Sequence, residues 1–214
     1  MSKQSGTLAK PTLVGRSSSH FTRVARIFAA EMRVDCRFEV VPDLMATDAA
    51  AYGGNPALKL PILHDARGTW FGSLSISRQL VRQSGAPLRV AWPEDLDQPL
   101  AANAQELIAQ AMATEVTLIM AGLAGAAADD GYQAKLRNGL RNTLAWLEDN
   151  AAQAIAALPG ERDLSYLEVT LFCLLTHLEF RDVLPLGPCP RLRGFRDRFE
   201  ARASAATTAY RFDG

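Results

Sequence analysis

Apolar and polar positions alternate with changing period up to about residue 85 and keep helical spacing after about residue 100. Thr12 to Gly15 is a short apolar strand that runs into Arg16-Ser17-Ser18-Ser19, so the hydroxyls lie at a strand-to-helix turn. From Phe21 the apolar positions Val24, Phe28 and Met32 recur at helical spacing, with Arg23, Arg26 and Glu31 assigned to the other side. Cys36, Phe38 and Val40 alternate with Asp35, Arg37 and Glu39, the period of a half-buried strand. Asp43 to Tyr52 is alanine-rich and reads as a loose helix ended by Gly53-Gly54. The chain is organised around Asn55 to Ser73, NPALKLPILHDARGTWFGS. There Pro61 leads into Ile62-Leu63, the polar turn Asp65-Ala66-Arg67-Gly68 follows, and Thr69-Trp70-Phe71 returns: a β-hairpin entered through a proline. Proline gives no N–H to a ladder, so it belongs at a strand start or edge, and the backbone before it stays free to pair with an extended ligand such as a peptide. Ser73 opens a helix to about Arg82, stopped by Gly85.

Between Gly85 and Pro99 stand three prolines and Trp92, and beyond them the pattern is almost purely helical. Leu100 to Leu123 is a long alanine-rich helix, and Leu136, Leu140, Leu144 and Leu147 stripe a second that closes at Pro159-Gly160. Ser165 and Glu168 form a Ser-x-x-Glu capping box, with Leu164 and Val169 spaced for a hydrophobic staple. From Val169 to Leu178 nearly every residue is apolar, as in a helix surrounded by others, and Leu192, Phe195 and Phe199 mark one face of a last helix.

With 214 residues, 48% of them hydrophobic, the chain can bury one sizeable core or two small ones. Twenty-three basic side chains balance 23 acidic ones, which removes any global attraction to nucleic acid or an acidic membrane. The arginines from Arg191 to Arg202 are interrupted by Asp197 and Glu200 opposite an apolar face, and read as a solvated helix surface. Cys36, Cys173 and Cys189 are odd in number and scattered, which speaks against a disulfide framework and for a cytoplasmic location. His20, His64 and His177 match no metal spacing, and there is no dinucleotide or phosphate loop. The polar start MSKQSGTLAK has no apolar leader and reads as a loose tail, and no apolar run reads as long enough to span a bilayer.

Asn55-Pro56, Lys59-Leu60-Pro61 and Ser73 resemble the glutathione-binding segment of cytosolic glutathione transferases: Asn-Pro, Lys or Gln, an aliphatic residue, a cis-proline, a hairpin, then an acidic residue with Ser. The capped apolar helix and the ending Arg202-Ala203-Ser204 with Thr207 resemble the same family, so the likeness runs from about Pro11 onward. It implies a thioredoxin-like α/β domain over 11–84, a linker over 85–99 and an all-α helical domain over 100–214, in agreement with the β-α-β-α-β-β-α order of the first part. It also implies a homodimer that uses glutathione as co-substrate against a small hydrophobic electrophile held by the first long helix, with no metal, nucleic acid or membrane partner.

Such an enzyme must hold a thiolate at neutral pH, although an ordinary thiol titrates near ~8.5. A hydroxyl donor at a helix N-terminus does so by a hydrogen bond and the helix dipole. Aligned through Phe21 and Arg23, Ser19 matches the catalytic serine of theta- and zeta-like members, Ser18 comes second, and Ser17 is within reach. A serine here argues against the mixed-disulfide chemistry of omega- and glutaredoxin-like relatives. The likeness assigns the Leu60 backbone before Pro61 to the cysteinyl unit, Lys59 to the glycine carboxylate and Ser73 to the γ-glutamyl carboxylate. Each residue also has a plain role: Ser19 and Ser73 as helix caps, Lys59 as a solvated lysine, His20 as a surface histidine or a site donor, Cys36 and Cys173 as small hydrophobes. Departures are Glu168 for an aspartate, His20 for a proline and above all Gly72, which stands where the family's acidic residue pairs with the glutathione ammonium. That leaves weak binding, an acid recruited from elsewhere, or no binding. Beside transferase activity stand a non-catalytic binding or assembly role and, lowest, a zeta-like isomerase, which lacks its usual cysteine.

Overall fold

In the computed structural model, which describes residues 10–125 and 131–213, the chain divides into two compact units, Met1–Ala86 with Thr208–Gly214, and Pro87–Thr207. The expected loose tail lies, apart from Lys10, outside the described residues.

The first unit runs β1 (Thr12–Gly15), α1 (His20–Glu31), β2 (Arg37–Val40), a 3-10 turn (Ala49–Tyr52), β3 (Ile62–Asp65), β4 (Gly68–Phe71) and α2 (Ser73–Gln83). The sheet order is β2-β1-β3-β4; β1 and β2 are parallel and the other pairs antiparallel, the thioredoxin-like arrangement expected. Cross-strand partners Val14 and Ile62 join Val41 and Tyr52 in one apolar cluster. Their neighbours Leu13 and Leu63, also paired, therefore face the opposite side, and all four strand residues are buried. Helix α1 packs on α2 and supplies Val24, Ile27 and Phe28, and α2 supplies Ile76 and Leu80, all fully buried. Truncating one of the larger of these to alanine costs about 2–5 kcal/mol, because the neighbours collapse only partly into the space.

Two expectations are corrected here. The alanine-rich stretch from Asp43 is not a helix beyond the single 3-10 turn: Asp43 accepts from the Met45 amide at 2.8 Å, which competes with helical bonding, while Asp48 only caps the short turn by accepting from the Ala50 amide at 2.9 Å. Arg23 does not sit on a solvent face but is 3% exposed, its guanidinium stacked 4.3 Å from the Tyr210 ring centroid.

The second unit contains β5 (Val90–Ala91), α3 (Pro99–Leu123), α4 (Gly131–Ala156), β6 (Leu164–Ser165), α5 (Tyr166–Phe180), α6 (Pro190–Glu200) and α7 (Ala203–Thr207). The proline-rich stretch read as a linker thus holds a strand, paired in parallel with β6. Helix α3 packs against α4 and α5, and α5 is buried all round, from Leu167 through Phe172 to Leu178. The Ser165 hydroxyl accepts from the Glu168 N–H at 3.0 Å, as the capping motif requires. The Glu168 carboxylate turns to the Ser165 hydroxyl at 2.6 Å and to the Arg162 guanidinium at 3.1 and 3.3 Å. By length and composition α3 does reach what a membrane-crossing helix needs, which corrects the sequence reading. Its Ala104, Ile108 and Met112 are buried, as is Glu115, which meets His177 of α5 at 2.7 Å.

Candidate functional site

Strand register gathers three loops at one end of the first unit's sheet. β1 meets β3 at Val14↔Ile62 and β3 meets β4 at Ile62↔Phe71. The turn after β1, the loop before β3 and the start of α2 after β4 therefore share an edge, and the Gly72 N–H bonds the Pro61 carbonyl at 3.3 Å. Residues 16–19, Leu60-Pro61 and Gly72-Ser73 come together by pairing alone.

The turn into α1 is tight because residue 15 is glycine: a Cβ there would fall 2.5 Å from Thr22 Cγ2. Ser19 is the N-cap of α1, with extended backbone, and its Oγ accepts from the Thr22 N–H at 3.3 Å. An acceptor hydroxyl still has its own proton to give, so Ser19, half-buried, can cap the helix and donate outward together. Ser17 is fully buried, while Ser18 is half-buried like Ser19. His20, read from sequence as a surface histidine or a site donor, is 1% exposed, which removes the surface reading.

Asn55 accounts for the shape of the second loop. It is buried, its side-chain amide donates to the Lys59 carbonyl at 2.7 Å and its Oδ1 accepts from the Ala57 N–H at 3.0 Å. The loop is thereby closed on itself just before Leu60, and the Leu60–Pro61 bond is cis. Among the described residues the Leu60 N–H and C=O make no hydrogen bond, which leaves a donor and an acceptor on one half-buried residue. Lys59 is exposed and makes no ion pair among the described residues.

The third loop differs from the sequence reading in one respect. The N-cap of α2 is Gly72, with no side-chain cap, and Ser73 is the first helical residue, 7% exposed. The first-turn amides of α2 and the dipole behind them form an anion-accepting helix start. Gly72 holds φ +78° and ψ 145°, a conformation suited to glycine, and the space beyond its Cα is open.

Two residues that sequence reasoning left without a role hold the surroundings: Asp65 at the far end of the hairpin, where β3 turns into β4, and Asp213 on the first of the three loops. Asp65, read only as part of a polar turn, accepts from Gln79 at 2.6 Å, Trp70 Nε1 at 3.2 Å and the Arg67 amide at 2.8 Å, and also from Gln83. Burial pushes its carboxyl up, but these bonds outweigh it and keep it below the usual carboxylate value. The hairpin is thus tied to α2. Asp213 holds the Ser17 N–H at 2.7 Å, 196 residues away along the chain, and no local pattern signals it.

Chemically, the edge offers a hydroxyl on a helix start, a free backbone donor and acceptor, and a second helix start. That set suits an extended, peptide-like anion carrying a group to be stabilised as an anion. No protein-family model and no curated protein sequence matches the chain. Among solved structures it is similar to a glutathione S-transferase of Methylobacillus flagellatus KT with glutathione bound, at 21% identity and a TM-score of 0.74 over 94% of this chain and 100% of that one. It is equally similar to a glutathione transferase family member of Pseudomonas fluorescens Pf-5 with bound glutathione, at 21% identity and a TM-score of 0.74 over 94% and 99%. A glutathione S-transferase of Sinorhizobium meliloti 1021 follows at 18% identity and 0.70 over 96% and 95%. The chain has the glutathione transferase fold.

Proposed function

We propose that the protein is a glutathione transferase, in which glutathione is the co-substrate and its thiolate adds to a small hydrophobic electrophile. The observation that carries this reading is the Ser19 hydroxyl on the start of α1, at the same sheet edge as the uncommitted Leu60 backbone. The glutathione bound in similar structures supports it.

In this reading glutathione lies extended along the edge. Its cysteinyl unit pairs with the Leu60 N–H and C=O, Lys59 answers the glycine carboxylate, and the start of α2 with Ser73 takes the γ-glutamyl carboxylate. Ser19 donates to the sulfur while the Thr22 amide holds its oxygen in place. A hydrogen bond to a charged group contributes about 1.5–3 kcal/mol, and one pKa unit is about 1.4 kcal/mol, so the thiol moves down by roughly one to two units from ~8.5. That places it near neutrality. The thiolate then forms the C–S bond and the electrophile's leaving group departs with its electron pair. A cytoplasmic homodimer, with 11–84, 85–99 and 100–214 as its functional divisions, completes the proposal.

Gly72 favours a second reading, a binding or assembly protein of the same fold that no longer takes glutathione, since no side chain at that position can meet the ligand's ammonium. Calorimetric titration with reduced glutathione, followed by a conjugation assay with a generic aryl halide, separates the two. Heat of binding with turnover supports the transferase; neither signal, at millimolar glutathione, supports the second reading.

A further inference from the structure

The segment 208–213 returns along α1 and stops on the turn that carries Ser19. Thr208 accepts from Arg23 Nε through its hydroxyl and from Arg26 Nη1 through its carbonyl, both at 3.4 Å. Tyr210 lies under the Arg23 guanidinium. Asp213 then receives the Ser17 N–H on Oδ2 at 2.7 Å, and its carbonyl accepts from Arg16 Nη2 at 3.4 Å. Arg16 also donates to the Val41 and Pro42 carbonyls just beyond β2, at 3.0 and 2.9 Å. The turn is therefore gripped twice, through the Arg16 side chain and through the Ser17 backbone. The Asp213 side chain is only 7% exposed.

We infer that Asp213 is a positioning residue for the thiolate-stabilising serine: by holding the Ser17 amide it fixes the turn 16–19 and so the direction of the Ser19 hydroxyl. This rests on the transferase reading above. Ser17 is fully buried, and the Asp213 carboxylate gives its amide a charge-assisted bond. Removing that acceptor leaves a donor unmet in a buried place, and the backbone shifts to satisfy it. A donor stabilises a developing or standing charge only if it is already aimed, so a turn that wanders weakens Ser19 without touching it. The sign of the effect separates position from charge. As a bare negative charge near the sulfur, Asp213 opposes the thiolate, and its loss lowers the thiol pKa. As a positioning group, its loss raises it.

The test uses the full chain as native protein, Asp213→Asn and Asp213→Ala. Amide hydrogen exchange of residues 17–19 is measured without ligand, and the thiol of bound glutathione is titrated by its ultraviolet thiolate absorbance. Asp213→Ala is expected to speed Ser17 exchange at least ~tenfold and to raise the thiol pKa by about one unit. Asp213→Asn, which keeps an acceptor oxygen, stays near the native values in both. If the alanine variant does not fold, Asp213→Ser, whose hydroxyl is too short to reach the amide, takes its place. Native exchange and native titration in the alanine or serine variant overturn the inference, as does a fall in thiol pKa in either variant. A native protein that binds no glutathione sinks the transferase reading instead, while the exchange rates still decide whether Asp213 orders the turn.

Discussion

In the proposed transferase reading, replacing Gly72 by glutamate supplies an acidic partner for the glutathione ammonium, and its cost and gain can be separated. The backbone there has φ +78° and ψ 145°, and a side chain must adopt it against its own Cβ. Such conformations cost about 1–3 kcal/mol for a non-glycine residue. Nothing lies within 4 Å of the added Cβ, so no clash adds to that figure. A carboxylate at a helix N-terminus returns about 0.3–1 kcal/mol, which leaves a net loss of about 1–2 kcal/mol. For a chain of this length that lowers Tm by roughly 2–8 °C. On the binding side, a charge-assisted bond to the ammonium contributes about 1.5–3 kcal/mol, or roughly 10- to 150-fold in Kd. The assay is calorimetric titration of native, Gly72→Ala and Gly72→Glu proteins with reduced glutathione, each with its thermal melt. The alanine variant carries the strain without the charge. Equal affinity in the alanine and glutamate variants refutes the ammonium argument, and an alanine variant as stable as native refutes the strain argument.

Three further outcomes are expected. Ser19→Ala loses a cap and a donor together: about 1 kcal/mol of stability by urea unfolding and about one to two units upward in the thiol pKa of bound glutathione, whereas Ser17→Ala leaves that titration unchanged. Asp65 has a folded pKa below its unfolded value near 3.8, so its contribution is present above that pH and fades as pH falls through the folded pKa; the stability gap between native and Asp65→Asn, followed by acid titration, should close only below about pH 4. Burial, aided by Asp35, pushes the Cys36 thiol up to about 11, so at pH 8 only about one molecule in a thousand carries the thiolate, and alkylation of Cys36 by iodoacetamide should run some hundredfold slower than in the urea-unfolded chain.

Much of the fold was legible because its signals are local. The limits of β1, the proline-led hairpin, the start of α2 and the capped, buried α5 each follow from a period or a turn within a dozen residues. The alanine-rich stretch misled because helix propensity is weak: Asp43 spent the Met45 amide on a turn of its own, and Asp48 caps only a single 3-10 turn. Glu168 fitted its capping motif, yet Arg162 drew its carboxylate.

The sequence by itself determined which residue types were on offer at the candidate site: a serine before a helix, a free backbone before a proline, a glycine where an acid is usual. Tertiary structure alone decided which of them face one another. Register between β1, β3 and β4 brings the three loops to one edge, since hydrogen-bonded pairing fixes every residue beyond it. It also buries Ser17 while leaving Ser18 and Ser19 half-buried, and it packs Arg23 away from solvent. The grip of Asp213 on Ser17 joins residues 196 positions apart, and a pairing of that separation leaves no periodic trace in the chain; only the folded backbone brings that carboxylate to that amide.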